Sequence, residues 1–161
     1  MDRFLGIYLN DQLAMGIVWR ELARRCAHGN RDRPAGAPLR EVATAIAEDV
    51  TTFRGIMRRL GVRANPVKTG LAVLAERAGR IKLNGRLRTY SPLSRFEEVE
   101  ILAMGIDGKK QLWTTLRDLA GLAERLPEID FDELIDRADR QRAELEPLRV
   151  SAGTEAFRSP G

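Results

Sequence analysis

Apolar side chains recur at three- and four-residue steps through four long stretches of this chain, and no useful length alternates with the period of two that a strand requires. That pattern confines the fold to packed helices. The first stretch runs from about Arg3 to His28 on a stripe of Phe4, Tyr8, Met15, Val18 and Leu22, and Gly29-Asn30 closes it. The second runs from Leu39 to Leu60 on Leu39, Val42, Ile46, Phe53, Ile56 and Leu60, with Gly61 as its stop. Ser91-Pro92 opens the third, which carries Phe96, Val99, Ala103, Ile106 and Trp113 to about Ala120. Gly105 and Gly108 lie inside it, each costing about 1 kcal/mol against alanine, so a bend or the close approach of a neighbouring helix is expected there. Asp130 with Glu133 forms a capping box for the last stretch, striped by Phe131, Leu134, Ala138, Leu145 and Leu148. Pro147 predicts a kink around residues 143–147.

The links between these helices constrain the topology. The first-to-second and third-to-fourth links are short, which makes each pair an antiparallel hairpin. The second-to-third link spans roughly 30 residues, far beyond an ordinary helix connection, and can travel the length of a bundle. It contains a shorter helix capped by Asn65 with Pro66 in its first turn, carrying Val67, Leu71, Leu74 and Ala78, then an irregular stretch around Asn84-Gly85. Short, long, short is the four-helix pattern with one crossover. Residues 1–158 read as one domain and 159–161 as a loose tail.

Charge and cysteine content narrow the function classes. The 161 residues hold 27 basic and 23 acidic side chains with one histidine. Arginine is interspersed with acid, as on a solvated helical surface laced with ion pairs, rather than gathered on the single stripe of a nucleic-acid binder. One cysteine, Cys26, makes no internal disulfide, suits a reducing cytoplasm, and sits where a buried structural thiol is expected. No basic leader precedes an apolar run, and none approaches the length of a membrane span. A cytoplasmic protein without membrane contact is expected.

The segments IYLNDQLAMGIVWRELARR, IAEDVTTFRGIMRRLGV, GRIKLNGRLRTYSPLSRFEEVEILAMGIDGKKQLW and ADRQRAELEPLR resemble those of an uncharacterised actinobacterial family with a ferritin-like fold. The resemblance covers nearly the whole chain and implies a ferritin-like four-helix bundle with a helix-containing crossover between helices two and three. Di-iron chemistry in that superfamily uses a carboxylate from each of two helices and a Glu-x-x-His from each of the other two. No Glu-x-x-His occurs here. Glu48 is followed three residues on by Thr51, Asp139 by Arg142, and Glu97, Glu98 and Glu100 have no histidine partner. The lone His28 falls at the end of helix one. No cofactor is expected.

Polar residues on the apolar stripes suggest what fills the centre instead. On the spacings above, Asp11, Asp49, Lys110 and Gln141 each fall on the inward face of one long helix, with Arg117 on the third helix as well. Buried charges are costly unless paired, and a charged lysine offers a metal no lone pair. A hydrogen-bonded ionic layer of Asp11, Asp49, Lys110 and Gln141 is therefore the candidate binding feature; the alternative is that their stems merely carry them out to water. The densest basic segment, Arg77, Arg80, Lys82, Arg86, Arg88, Tyr90 and Arg95, reads as a solvated crossover paired with Glu97, Glu98 and Glu100. Gly105-x-x-Gly108-Lys109-Lys110 lacks the spacing and strand of a phosphate loop.

The sequence thus points to a non-enzymatic binding or interaction module. Homo-oligomerisation is expected from the superfamily habit and from Trp19, Leu102 and Leu112, which lie off the main stripes. The partner, a protein or small molecule, has no further signature, and nucleic acid is not expected. The competing reading is a metal-dependent oxidase or iron-handling protein liganded by carboxylates alone: Glu21, Glu48, Glu98 and Glu100.

Overall fold

The computed structural model describes residues 3–68, 70, 71, 74 and 90–158, and among them the chain is all-helical. Four long helices, α1 (Arg3–Gly29), α2 (Gly36–Arg59), α3 (Pro92–Thr114) and α5 (Phe131–Arg158), carry the fold. A π-helical turn, Thr115–Leu119, and the short α4 (Leu122–Arg125) join α3 to α5. No helix among the described residues is long and apolar enough to cross a membrane. The expected tail at 159–161 and most of the crossover, residues 75–89 included, lie outside the described residues.

The helix ends follow their local chemistry. Asn30 turns its side chain back to donate to the Cys26 carbonyl at 2.8 Å, closing α1. Gly61, with φ of 69°, adopts the left-handed conformation that stops α2, and Val62 N–H donates to the Met57 carbonyl across it. Ser91 Oγ accepts from Ser94 N at 3.1 Å, and Asp130 Oδ1 accepts from Glu133 N at 2.9 Å, each filling an otherwise unmet donor of a first turn. Asn65 Oδ1 accepts from Val67 N and Lys68 N in the same way. Pro147 does not end α5, which stays helical on both sides of it.

α1 packs on α2 and α3 on α5, with α1 also against α3 and α2 against α5. The core divides into two clusters that fix both pairs as antiparallel. At one end Leu9, Leu13 and Ile17 meet Phe53 and Ile56 of α2, Trp113 of α3 and Leu134 of α5. At the other, Leu22, Cys26, Leu39, Val42, Leu102, Ile106 and Leu145 pack together. The crossover starts pinned to α1: Asn65 N–H donates to Asn10 Oδ1, Asn10 Nδ2 donates to the Arg63 carbonyl, and Lys68 Nζ lies 2.6 Å from Asp11 Oδ1.

One of the expected stripes is out of phase, and another is wider than expected: Val99, Ala103, Ile106 and Trp113 of α3 are buried as their spacing predicts. On α1 the buried residues are Leu9, Leu13, Ile17, Leu22, Ala23 and Cys26, whereas Phe4 and Met15 are exposed. On α3, Leu102 and Leu112 are core rather than surface, and Trp19 is partly buried against the second cluster, so none of the three is a free apolar surface. α2 and α5 bury the faces their spacing predicts, including Asp49 and Gln141.

A cleft over a buried lysine, aspartate and glutamine

Between the two core clusters lies a polar layer. Asp49 lies three residues after Ile46 on α2, Gln141 three after Ala138 on α5, and both are 3% exposed, polar interruptions of two otherwise apolar buried faces. Gln141 Nε2 donates to Asp49 Oδ2 at 3.0 Å. The cation between them is Lys109, whose Nζ donates to both Asp49 Oδ2 and Gln141 Oε1. Arg137 Nε stands 3.3 Å from Asp49 Oδ1, and the same guanidinium donates to Glu48 Oε2 at 2.5 Å and to the Ala45 carbonyl. Burial lowers the proton affinity of Lys109 and Arg137 adds to this; the Asp49 carboxylate pulls the other way. The net direction is downward, with burial the largest cause.

The layer differs from the expected one in two members. Lys110 does not face inward: its ammonium pairs with Asp139 at 2.7 Å on the outside of α3 and α5. The helix turns Lys109, three residues after Ile106, toward the centre instead. Asp11 is on the exposed face of α1 with Phe4 and Met15, tied to Lys68. Arg117 pairs with Asp118 and Asp132 near the surface. Asp49 and Gln141 are therefore brought together, and Asp11 and Lys110 are not. The signal for Lys109 was present, since i+3 and i+4 are both helical steps, but nothing in the spacing chose between them.

α1 contributes no polar group to the layer. It contributes space. A cleft of about 310 Å³ opens between α1 and α3, floored by Asp49 and Lys109 and walled by Trp19, Phe53, Trp113 and Met104. Two glycines shape it. A Cβ on Gly105 would lie 1.7 Å from Trp19 Nε1, so the bare backbone is what admits the indole; a Cβ on Gly108 would meet nothing within 4 Å. Trp113 is 1% exposed, stacks obliquely on Phe53 at 5.8 Å, and its Nε1 is buried without a hydrogen-bond partner among the described residues. The π-helical turn begins two residues after it, a backbone irregularity often found beside functional sites.

The four carboxylates of the metal-binding alternative do not converge. Glu21 pairs with Arg20 and Arg24, Glu48 with Arg137, Glu98 with Arg25, and Glu100 with Arg149. Among the described residues no three histidine, cysteine, aspartate or glutamate side chains are grouped to hold a metal ion.

A second network closes the far end of α1. Tyr90 donates its hydroxyl to Glu98 Oε2 at 2.6 Å, Asn30 Nδ2 donates to the Tyr90 oxygen at 3.2 Å, and Arg25 Nε binds Glu98 Oε1. Arg95, expected on a solvated basic loop, is buried: it donates to the Tyr90 carbonyl and shares Glu155 with Arg33. The expected pairing of this segment's arginines with Glu97, Glu98 and Glu100 is not made by Arg95, which reaches across to Glu155 of α5; Glu98 is taken by Tyr90 and Arg25 instead. Arg77, Arg80, Lys82, Arg86 and Arg88 lie outside the described residues.

Cys26 belongs to this end and is fully buried. Burial, with the nearby Glu98 charge, pushes its thiol from 9.0 up to about 12. At neutral pH the native thiol should resist a disulfide reagent that labels it at once after unfolding in urea. Because its folded pKa is raised, the thiol's contribution to stability is complete below pH 9 and is lost as pH climbs toward 12. Cys26→Ala should flatten that alkaline fall in the urea midpoint; an unchanged slope would assign it elsewhere.

Fold and site together define an all-helical protein with an apolar cleft over a buried lysine–carboxylate–amide layer. No family model, no curated protein and no solved structure matches the chain.

Proposed function

We propose that the chain is a ferritin-like four-helix bundle, of the actinobacterial family its sequence resembles, that acts in the cytoplasm as a non-enzymatic binding module. Two antiparallel hairpins joined by a long crossover support the fold reading. The observation that carries the binding reading is the cleft. Ligand sites are concave, mostly apolar and carry a few placed polar groups, and this one sets aromatic and methionine walls over Lys109 and Asp49. It opens between α1 and α3 beside the polar layer. The layer beneath already satisfies the acid from three directions, which leaves it suited to holding shape and less suited to acid–base chemistry.

A thermal-shift screen of small ring compounds tests the reading, because a ligand specific to the native state raises the melting temperature with concentration. Hits should lose their effect in Gly108→Leu, which fills open space at the cleft wall. A screen whose hits are unaffected by that change would place binding elsewhere. Protein purified without chelator should carry iron or manganese well below one ion per chain; stoichiometric metal would replace this reading with a carboxylate-liganded enzyme. Self-association belongs to the proposal and rests on Ile7 and Met15, exposed on one face of α1. A single-chain mass by light scattering at micromolar concentration would remove it.

A further inference from the structure

We infer that the cleft takes an uncharged ring compound bearing one oxygen acceptor, such as a carbonyl, which receives a hydrogen bond from Lys109. The inference rests on the binding-module reading and names its ligand class. An ammonium has three N–H donors. Lys109 directs two of them to Asp49 Oδ2 and Gln141 Oε1. Its side chain nevertheless lines the cleft and is 14% exposed, so the third donor has an open neighbour. Acceptors are lacking on the same floor: Asp49 Oδ2 is held by Lys109 and Gln141, and Oδ1 faces Arg137. Trp113, on the wall, adds a buried Nε1–H that no group among the described residues receives. The floor of the cleft thus offers a donor and asks for an acceptor, while Tyr8, Gln12, Gln111 and Thr115 elsewhere on the lining carry both.

Charge bookkeeping selects a neutral one. The Lys109 ammonium is matched by Asp49, and the Arg137 guanidinium by Glu48. A ligand carboxylate would find no unmatched cation and would sit beside Asp49, where low dielectric magnifies like-charge repulsion. The walls select the body. Trp19, Trp113 and Phe53 make the lining aromatic, which suits a ring, and Met15 and Met104 at the more exposed edge are soft, adaptable contacts.

The chain has two tryptophans, and both line the cleft. Their indole N–H signals in a ¹⁵N spectrum of the intact protein therefore report occupancy directly. Acetophenone, ethylbenzene and benzoate form a matched set: one ring with a neutral acceptor, with none, and with an anion. Acetophenone should shift the indole signals at a concentration about tenfold lower than either of the others, equivalent to ~1.4 kcal/mol. In Lys109→Met that preference over ethylbenzene should fall to about one while both still bind. If none of the three moves either signal, the binding-module reading fails and the ligand class with it. Equal affinities for acetophenone and ethylbenzene, or benzoate the tightest, would overturn the ligand class and leave the module standing. A preference that survives in a folded Lys109→Met would overturn the role of Lys109; should that variant not fold, the ranking on the native chain decides.

Discussion

Asp49→Ala should lower unfolding stability by about 3–5 kcal/mol, the usual loss when one partner of a buried ion pair is removed and the other remains. Asp49 is 3% exposed and receives Lys109, Gln141 and Arg137. Without it two cations face each other over an amide, and the melting temperature of a chain this size should fall by ~10 °C. The loss is conditional on Lys109 staying charged inside. Replacing both partners with apolar side chains of similar volume, Asp49→Leu with Lys109→Met, should recover most of it, since the desolvation cost of the charges disappears together with their attraction. Urea unfolding of Asp49→Leu, Lys109→Met and the double variant gives the coupling directly. A double variant no more stable than Asp49→Ala would mean that the layer contributes through hydrogen-bond geometry that apolar packing cannot replace. The companion Lys110→Met should change stability by less than ~1 kcal/mol, because its bond to Asp139 is a surface pair.

Gly105→Ala is expected to destabilise by ~1–3 kcal/mol, against the usual direction for a glycine inside a helix. Alanine would gain about 1 kcal/mol of intrinsic helix preference. The new methyl, however, would overlap Trp19, with Nε1, Cδ1 and Cε2 at 1.7, 2.1 and 2.4 Å. No small adjustment relieves that, so the indole must leave its place, at the cost of an overpacked interior. Trp19→Phe should rescue part of the loss in the double variant. Gly108→Ala, one turn further on, should instead gain ~1 kcal/mol, because its methyl meets nothing within 4 Å. Results of opposite sign from two glycines three residues apart would be read most simply by calorimetry. If Gly105→Ala were stabilising, the close approach of α1 and α3 that forms the cleft would be wrong.

The residues that were misplaced show where helical spacing stops being informative. Asp49 and Gln141 were legible because α2 and α5 each have one apolar face and one charged face, so an interior acid or amide stands out against its stripe. α1 offers apolar residues on more than one side. Phe4, Tyr8 and Met15 make one plausible stripe and Leu9, Leu13 and Ile17 another, and the sequence holds no reason to prefer the second. Choosing the first carried Asp11 inward with it. On α3 the same ambiguity put Lys110 at the centre in place of Lys109, and left Leu102 and Leu112 outside. The cleft itself had no sequence signal beyond two glycines. Gly105 marks a close approach only once Trp19 is known to lie against it.

Local chemistry decided the helices, their caps at Ser91, Asp130 and Asn65, and the stop at Gly61, because each depends on groups within a few residues of one another. It also decided that Asp49 and Gln141 face inward, and that the link between α2 and α3 is long. Which side of α1 enters the core, and how far the buried face of α3 extends to Leu102, Lys109 and Leu112, was decided by the partners they meet, since burial is a property of the packed assembly and a helix with two apolar faces can satisfy either alone. The placement of Lys109 between Asp49 and Gln141, and the open space beside Trp19 and Trp113, follow from that choice of face and exist only after the helices have packed.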